Sequence, residues 1–424
     1  YQPVKFEAID LQNGKVRVIN RYDFIDLQHL QFSYSIDESG KTELAGTLGQ
    51  LGLMAGESKI LTFNLSAMIP KPGAEYFLTI ESRTHQGQQL IPKDHLVAWE
   101  QFRLPIRRPQ MPKNSVNLPP LQLHENDDFI KVKGINFEVI FERNNGHLIQ
   151  YIYKGVDMLV SGLEPHFWRA PMDNDLGNGM PKRTGIWRHV REEIFLQALN
   201  RSLNNNVASI EVISSHDTTG IILETHYSIY GNGLVNINQQ LIPSGEKVPE
   251  IPRFGMKMTL PGSFNEVEWF GRGPHESYWD RKTSAAVGHY SGTVWEQTFP
   301  YIRPQETGNK TDVRWMALKG DSLGLMAIGK PTFDGSVHQY PYADLDYIPK
   351  SQRHGKLDLR PKDQVDWLID YRQMGVGGDN SWGARPHDDY TLPVDTIIYE
   401  LQFGIIPFDK GTDLMRLSKI SIER

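Results

Sequence analysis

Residues 164–177 form the first of three stretches in which carboxyl, basic and aromatic side chains lie close enough for metal or acid–base chemistry. Its polar centre is Asp173, Asn174 and Asp175. An Asp-x-Asp pair can ligate a hard cation, but the further oxygen ligands of a calcium loop do not follow it. Asn and Asp side chains readily bond nearby backbone. We therefore expect these residues to order a loop without holding a metal, and Gly177 to act as a hinge behind them.

The other two stretches, around residues 269–281 and 304–315, contain candidate acids and bases. His275 and Glu276 are adjacent and could transfer protons, and Glu306 is a further candidate carboxylate. For the stretch at 269–281 the alternative is a structural ion network of Arg272, Glu276, Asp280 and Arg281, which we favour. For the stretch at 304–315 the alternative is a turn that braces a strand. The 14 histidines show no metal-ligand spacing, and there are no cysteines. Phosphate-loop and Gly-x-Ser-x-Gly motifs are also missing.

A glycine-rich segment at 375–385 combines a conformationally free backbone with one large aromatic side chain. Glycine allows positive φ and close backbone approach, so three glycines at its start predict an irregular loop. That loop presents Asp379, Asn380 and Trp382. An indole offers a flat apolar face to the C–H side of a pyranose and an N–H to a hydroxyl. Trp382 is therefore a candidate sugar platform, with a tryptophan folded back onto the core as the alternative.

Short segments in which apolar and polar residues alternate, as in β-strands, must position these side chains. Over residues 1–105 they recur between turn signals at the spacing of an immunoglobulin-like β-sandwich. Four prolines predict an extended linker at 106–124, and a second, larger β-domain follows at 125–424. Its clearest hairpin is 225–238, centred on Gly-Asn-Gly. One helix is predicted at 184–199, where apolar residues recur at helical spacing.

Composition limits the classes of function. The chain has 424 residues and a net charge of -6, which argues against nucleic-acid binding because that needs a basic face. No apolar run approaches the roughly 18 residues of a membrane span. The cytoplasm and the periplasm both stay open as compartments. The chain begins Tyr-Gln-Pro without an initiator methionine, and we expect it to be part of something longer.

Four motifs, taken in order, resemble the C-terminal third of glycoside hydrolase family 2 β-galactosidases. They lie at residues 97–102, 167–175, 271–276 and 377–383. The resemblance implies that residues 1–105 correspond to the second immunoglobulin-like domain of that family. It implies that the remainder is the small-chain domain, a β super-sandwich of the galactose-mutarotase-like kind. The expected fold class is therefore all-β.

The family hydrolyses terminal β-galactosides with two glutamates about 5–5.5 Å apart. They belong to a (β/α)₈ barrel of roughly 250 residues, and this sequence has no such pattern. The resemblance thus implies a non-catalytic portion that is inactive alone. Its partners would be the barrel of the same protein, a β-galactoside bound in the parent active site, and possibly further copies in a homo-oligomer. Magnesium and sodium, which the family uses, would be bound largely by the barrel, so no cofactor is expected here.

By the same resemblance, Trp382 matches the tryptophan that stacks on the aglycone sugar. Gly177 matches the start of a loop that moves when ligand binds. Asp379 and Asn380 stand where two aspartates are common in the family.

Two other classes of function remain open. A free-standing aldose epimerase or mutarotase would use His275 and Glu306 as acid and base. A carbohydrate-binding structural module would bind sugar measurably without a barrel.

Overall fold

A computed structural model describes the chain apart from residues 67, 110–112, 115–117, 244, 246–247, 347–357, 381, 421 and 424, with backbone alone at 113–114 and 422–423. The chain divides into two compact units. The first comprises Tyr1–Met111 with Val287–His289, and the second comprises Pro112–Ala286 with Tyr290–Arg424. Each unit has its own hydrophobic core.

The first unit is a two-layer antiparallel sandwich. Its strands are β1 (Val4–Asp10), β2 (Lys15–Asn20), β3 (Leu30–Glu38), β4 (Lys41–Gly49), β5 (Ser58–Thr62), β6 (Tyr76–Thr84) and β7 (Leu96–Leu104). One sheet has the order β1-β2-β5 and the other β4-β3-β6-β7. Alternate residues of β2 and β3, such as Val16, Val18 and Phe32, are fully buried, because successive side chains of a strand point to opposite faces. The predicted immunoglobulin-like sandwich is confirmed.

The second unit is also built almost entirely of strands. They are β8 (Lys113–Asn114), β9 (Gln122–Glu125), β10 (Phe129–Lys133), β11 (Phe137–Glu142), β12 (Leu148–Tyr153), β13 (Val156–Asp157), β14 (Ser161–His166), β15 (Phe195–Asn204), β16 (Val207–His216), β17 (Ile221–Tyr230), β18 (Val235–Ile242), β19 (Arg253–Pro261), β20 (Glu266–Gly273), β21 (Ala286–Thr293), β22 (Lys310–Lys319), β23 (Leu323–His338), β24 (Gln364–Gln373), β25 (Tyr399–Asp409) and β26 (Ile422–Glu423).

Antiparallel pairing joins most of these strands into one continuous system around one core. The order is β9-β10-β11-β12-β14-β19-β24-β23-β25-β18-β17-β16-β15, and β20 and β22 join it at β23. Strand β23 is 16 residues long. Its first half pairs with β25 and its second half with β24. The predicted all-β class, a sandwich followed by a large β-domain, is confirmed.

The predicted hairpin at 225–238 is present as β17 and β18, with Ile229 opposite Val235. The predicted helix at 184–199 is wrong. Residues 185–188 and 190–193 form two separate one-turn 3₁₀ helices, and β15 begins at Phe195. Pairing of β15 along the whole of β16 outweighs the helical spacing of the local sequence.

The helices that the structure describes in full are all short. The α-helical turns are α1 (Asp173–Gly177), α2 (Met180–Arg183) and α3 (Leu414–Leu417). The other 3₁₀ turns are Leu11–Asn13, Trp295–Gln297, Tyr342–Leu345 and Asp388–Tyr390. Within the described part of the chain, no helix has the length and apolar character that a membrane-spanning helix needs.

The predicted linker at 106–124 lies partly outside the described residues. In the described part, Arg108 bridges to Pro72, and residues 122–124 already belong to β9. The domain boundaries predicted at 105 and 125 stay a prediction.

Candidate functional site

The root of the glycine-rich loop is held by a fully buried arginine. Arg169 donates through Nη1 to the carbonyl oxygens of Met374 and Gly375, the latter at 3.2 Å. Through Nη2 it contacts both carboxylate oxygens of Asp175 at 2.7 Å. Asp175 is buried as well, so the carboxylate compensates the buried charge and fixes the guanidinium plane.

Helical turn α1 contacts the same loop at two further points. Asn174 donates through Nδ2 to the carbonyl oxygen of Val376 at 3.3 Å. Gly383 has φ +106°, and a Cβ there would lie 2.8 Å from the carbonyl oxygen of Gly177. Asp175 also accepts a bond from the N–H of Met172 at 3.0 Å, which caps the turn. The structure thus brings Asn174 and Gly177 against the loop from about 200 positions away in the chain, while Asp175 acts on it through Arg169.

Asp173 points elsewhere. Its carboxylate pairs with Arg303, whose Nε lies 2.9 Å from Oδ1, and its backbone N–H donates to Gln305 at 3.3 Å. Asp173 therefore joins α1 to the loop that precedes β22.

At the tip of the glycine-rich loop the polar side chains bond locally. Asn380 accepts from the backbone N–H of Trp382 at 2.8 Å. Asp379 contacts Nε2 of His387 at 2.9 Å, and this hydrogen bond raises the pKa of His387. The indole of Trp382 is 92% exposed. The alternative in which this tryptophan folds back onto the core is therefore wrong, while its sugar-binding role stays a prediction.

Of the two properties of glycine from which the irregular loop was predicted, the structure uses close backbone approach and not positive φ. Gly375, Gly377 and Gly378 all lie outside the left-handed region. They are needed for close approach instead: a Cβ on Gly375 would lie 2.7 Å from Oδ2 of Asp280, and one on Gly378 would lie 2.5 Å from the carbonyl oxygen of Ala384. Packing, not turn geometry, explains these glycines.

The ion network predicted above is present only in part, because Glu276 pairs with Arg281 whereas Arg272 pairs with Asp312 and Asp280 binds backbone N–H groups. One carboxylate oxygen of Glu276 accepts from Arg281 at 2.7 Å and from the hydroxyl of Tyr301. The other accepts from the N–H of Gly308 at 2.8 Å. His275 contacts the hydroxyl of Ser284 at 3.0 Å. Burial lowers the pKa of this imidazole.

Glu306 is fully buried and its carboxylate is already satisfied. It pairs with Arg253 at 3.1 Å, accepts from Gln373 at 3.1 Å and accepts from the hydroxyl of Tyr342. Both His275 and Glu306 thus have hydrogen-bond partners of their own, and the acid–base roles that an epimerase would need stay a prediction.

Sequence reasoning missed the buried charges Arg253 and Asp370, whose Nε and Oδ2 lie 3.1 Å apart. The sequence signal for this pair was weak, because Arg253 is the first residue of β19 and Asp370 is one of three charged residues in β24.

A groove of about 820 Å³ lies far along the sheet order from this region, on the exposed faces of β9 to β12. Within it, Lys131 and Lys133 each pair with Glu138 at 2.9 Å. None of the predicted site residues lines it. Across the residues that the structure describes, no three His, Asp or Glu side chains group as a metal site would require.

Comparison with known proteins gives consistent matches. The family model described as "Beta galactosidase small chain" matches residues 133–405, and that described as "Beta-galactosidase, domain 4" matches residues 16–105. The β-galactosidase of Priestia megaterium is 36% identical over 394 residues, which cover 92% of this chain and 37% of the relative. That of Vibrio cholerae is 30% identical over 357 residues, which cover 81% and 34%. The chain thus spans little more than a third of the length of these relatives.

Among solved structures, a galactose 1-epimerase from Lactobacillus acidophilus aligns with 69% of this chain and 99% of its own length, at 8% identity and a TM-score of 0.39. The sequence match is far stronger, because the small-chain model alone covers more than half of the 424 residues. On this ground the chain belongs to the β-galactosidase small-chain family.

Proposed function

We propose that this chain is the non-catalytic, C-terminal portion of a β-galactosidase, in which Trp382 completes the aglycone side of the sugar site. The observation that carries the proposal is an indole 92% exposed on a loop whose root is fixed by buried charges. An aromatic face that its own fold leaves in solvent contributes little to the stability of the chain. The same face, held on a rigid base, suits stacking on a pyranose.

The rest of the parent protein would supply the chemistry. In retaining glycosidases one carboxyl group attacks the anomeric carbon while the other protonates the leaving oxygen. The resemblance implies that these two glutamates belong to the barrel, so this chain would contribute binding and assembly, with further copies of the parent as possible partners. The substrate class is a terminal β-galactoside.

The magnesium and sodium of the family do not fit the residues of this site. The acidic side chains of α1 would be the first candidates as ligands. Asp173 is committed to Arg303 and Asp175 to Arg169. We therefore assign cation binding to the barrel.

The test mixes this chain with the separately expressed barrel-containing portion and measures hydrolysis of a nitrophenyl β-galactoside and transfer to an added sugar acceptor. We expect activity only on mixing. Trp382→Ala should weaken acceptor binding about tenfold, because stacking contributes about 0.5–1.5 kcal/mol beyond area burial. Trp382→Phe should retain part of the effect because it keeps a flat ring.

Phe195→Ala is the matched control, since Phe195 is an exposed aromatic on β15. It should leave both rates unchanged. Turnover by the 424 residues alone would refute the proposal, as would full acceptor transfer by the Trp382→Ala mixture.

A further inference from the structure

Asp280 lies at the tip of a tight turn in the stretch 278–281. Tyr278 and Arg281 close the turn by two reciprocal backbone hydrogen bonds of 3.1 and 2.7 Å. The ring of Tyr278 is buried, and the guanidinium of Arg281 packs over it at 5.2 Å. The carboxylate of Asp280 is thus presented from a rigid support.

This carboxylate binds the backbone of the glycine-rich loop. Its Oδ2 accepts from two consecutive N–H groups, those of Val376 and Gly377, each at 2.8 Å. Bonds from backbone N–H groups to a charged acceptor are shorter and stronger than neutral ones. Two successive N–H groups converging on one anion form a concave binding site, of the kind that backbone nests make.

The approach is so close that the loop needs glycine beside it. A Cβ on Gly375 would lie 2.7 Å from Oδ2 of Asp280, and one on Gly377 would lie 3.2 Å from it. The glycines and the aspartate are therefore complementary parts of one contact, although about 95 residues separate them in the chain.

Asp280 and Arg169 bind neighbouring residues of the loop through opposite charges. The guanidinium binds the carbonyl oxygens of residues 374 and 375, and the carboxylate binds the N–H groups of residues 376 and 377. Four consecutive residues are thus held from two sides. The cation binds the carbonyl groups of the first two, and the anion binds the N–H groups of the last two. We call Arg169 and Asp280, with the four residues that they hold, the clamp. Trp382 lies five residues beyond it, and its backbone N–H donates to Asn380.

We infer that Asp280 is a positioning residue for the Trp382 platform: it fixes the direction in which the loop leaves its root and so holds the indole in place without touching the sugar. The inference rests on the proposed function for its link to sugar binding. Its structural part concerns only this chain.

The structural part is tested by hydrogen exchange of the 424-residue chain. Asp280→Ala should speed exchange of the Val376 and Gly377 amides at least about tenfold, because both lose their acceptor. Asp280→Asn, which keeps the shape and one acceptor oxygen, should give a smaller increase in the same two amides. Asp389→Asn, at an exposed carboxyl of the neighbouring 3₁₀ turn, is the control and should leave them unchanged.

The functional part is tested in the mixture with the barrel-containing portion. Asp280→Asn should raise the KM for the sugar acceptor several-fold with little change in the kcat for hydrolysis. In a Trp382→Ala background the same substitution should not raise the KM for the acceptor further, because both substitutions act on the same interaction with the sugar.

Unchanged hydrogen exchange at residues 376 and 377 would overturn the inference and leave the proposed function untouched. So would an Asp280→Asn effect of full size in the Trp382→Ala background. If the exchange responds but Trp382→Ala itself has no effect on acceptor transfer, the proposed function fails and the link to sugar binding falls with it.

Discussion

Replacing Arg253 by methionine should lower the free energy of unfolding by about 3–5 kcal/mol. The substitution leaves Glu306 and Asp370 as buried carboxylates without their cation, and breaking a buried pair from one side carries a penalty of this size. Burial acts to lower the pKa of Arg253, but the carboxylates of Asp370 and Glu306 outweigh it and raise that pKa. The guanidinium is therefore charged in the folded chain. Urea unfolding followed by intrinsic fluorescence measures the difference, read as a change in midpoint at constant slope.

Arg201→Met is the matched control for this experiment. Arg201 contacts both carboxylate oxygens of Glu125, at 2.7 and 2.8 Å, but the two side chains are 39% and 35% exposed. Exposed pairs contribute at most about 1 kcal/mol, so the same substitution should have a small effect there. Equal losses at the two arginines would show that burial does not set the cost. Adding Glu306→Gln and Asp370→Asn to Arg253→Met should recover part of the loss, since no buried charge then stays unpaired.

The β architecture could be predicted because its signals are local. A Gly-Asn-Gly turn between two alternating runs is enough to specify β17 and β18. The segment 184–199 shows the limit of such reasoning. Its apolar residues fit a helix by spacing, but the partner strand β16, which the local sequence does not reveal, decides in favour of β15. A strand pairing along its whole length outweighs a weak helical preference.

The candidate site also has features that the local sequence predicted and features that it did not. That the loop is irregular could be read from its glycines, and the exposure of Trp382 was one of two readings that the sequence left open. The clamp beneath it could not be read, because Arg169 and Asp280 contact the loop from about 205 and 96 residues away along the chain. Close backbone approach at the glycines was predicted, but the group that approaches Gly375, the carboxylate of Asp280, is brought near only by the fold.

Asp334 shows how far the buried charges of this unit depart from their ordinary behaviour. It lies directly opposite Asp370 across β23 and β24, an arrangement that is unfavourable when both are charged. Burial first, and then the Asp312 carboxylate, raise the pKa of Asp334 to about 7, while Arg372 opposes the rise. Burial also acts to raise the pKa of Asp370, but there the guanidinium of Arg253, 3.1 Å away, opposes the rise and favours the carboxylate. Asp334 is therefore protonated in the folded chain through most of the acidic range.

Asp334→Asn should leave stability almost unchanged near pH 4 and increase it by about 2–4 kcal/mol at pH 8. Between its ordinary pKa of 3.8 and the folded value of about 7, the folded state keeps a proton that the unfolded state has released. Stability therefore falls as pH rises through this window, by about 1.4 kcal/mol per pH unit. Asparagine removes the ionisation and keeps the oxygen that accepts from the N–H of Asp312 at 3.3 Å.

The measurement is the difference in unfolding free energy between wild type and Asp334→Asn from pH 4 to pH 8, which cancels the other titrating groups. Asp321→Asn, at an exposed turn between β22 and β23, should show no pH-dependent difference. A constant difference for Asp334→Asn, or a loss of stability at pH 8, would mean that Asp334 is charged in the fold and is held by its neighbours. The predicted gain in stability on removing a buried carboxyl follows only if that carboxyl is kept neutral by burial and by the like charges around it.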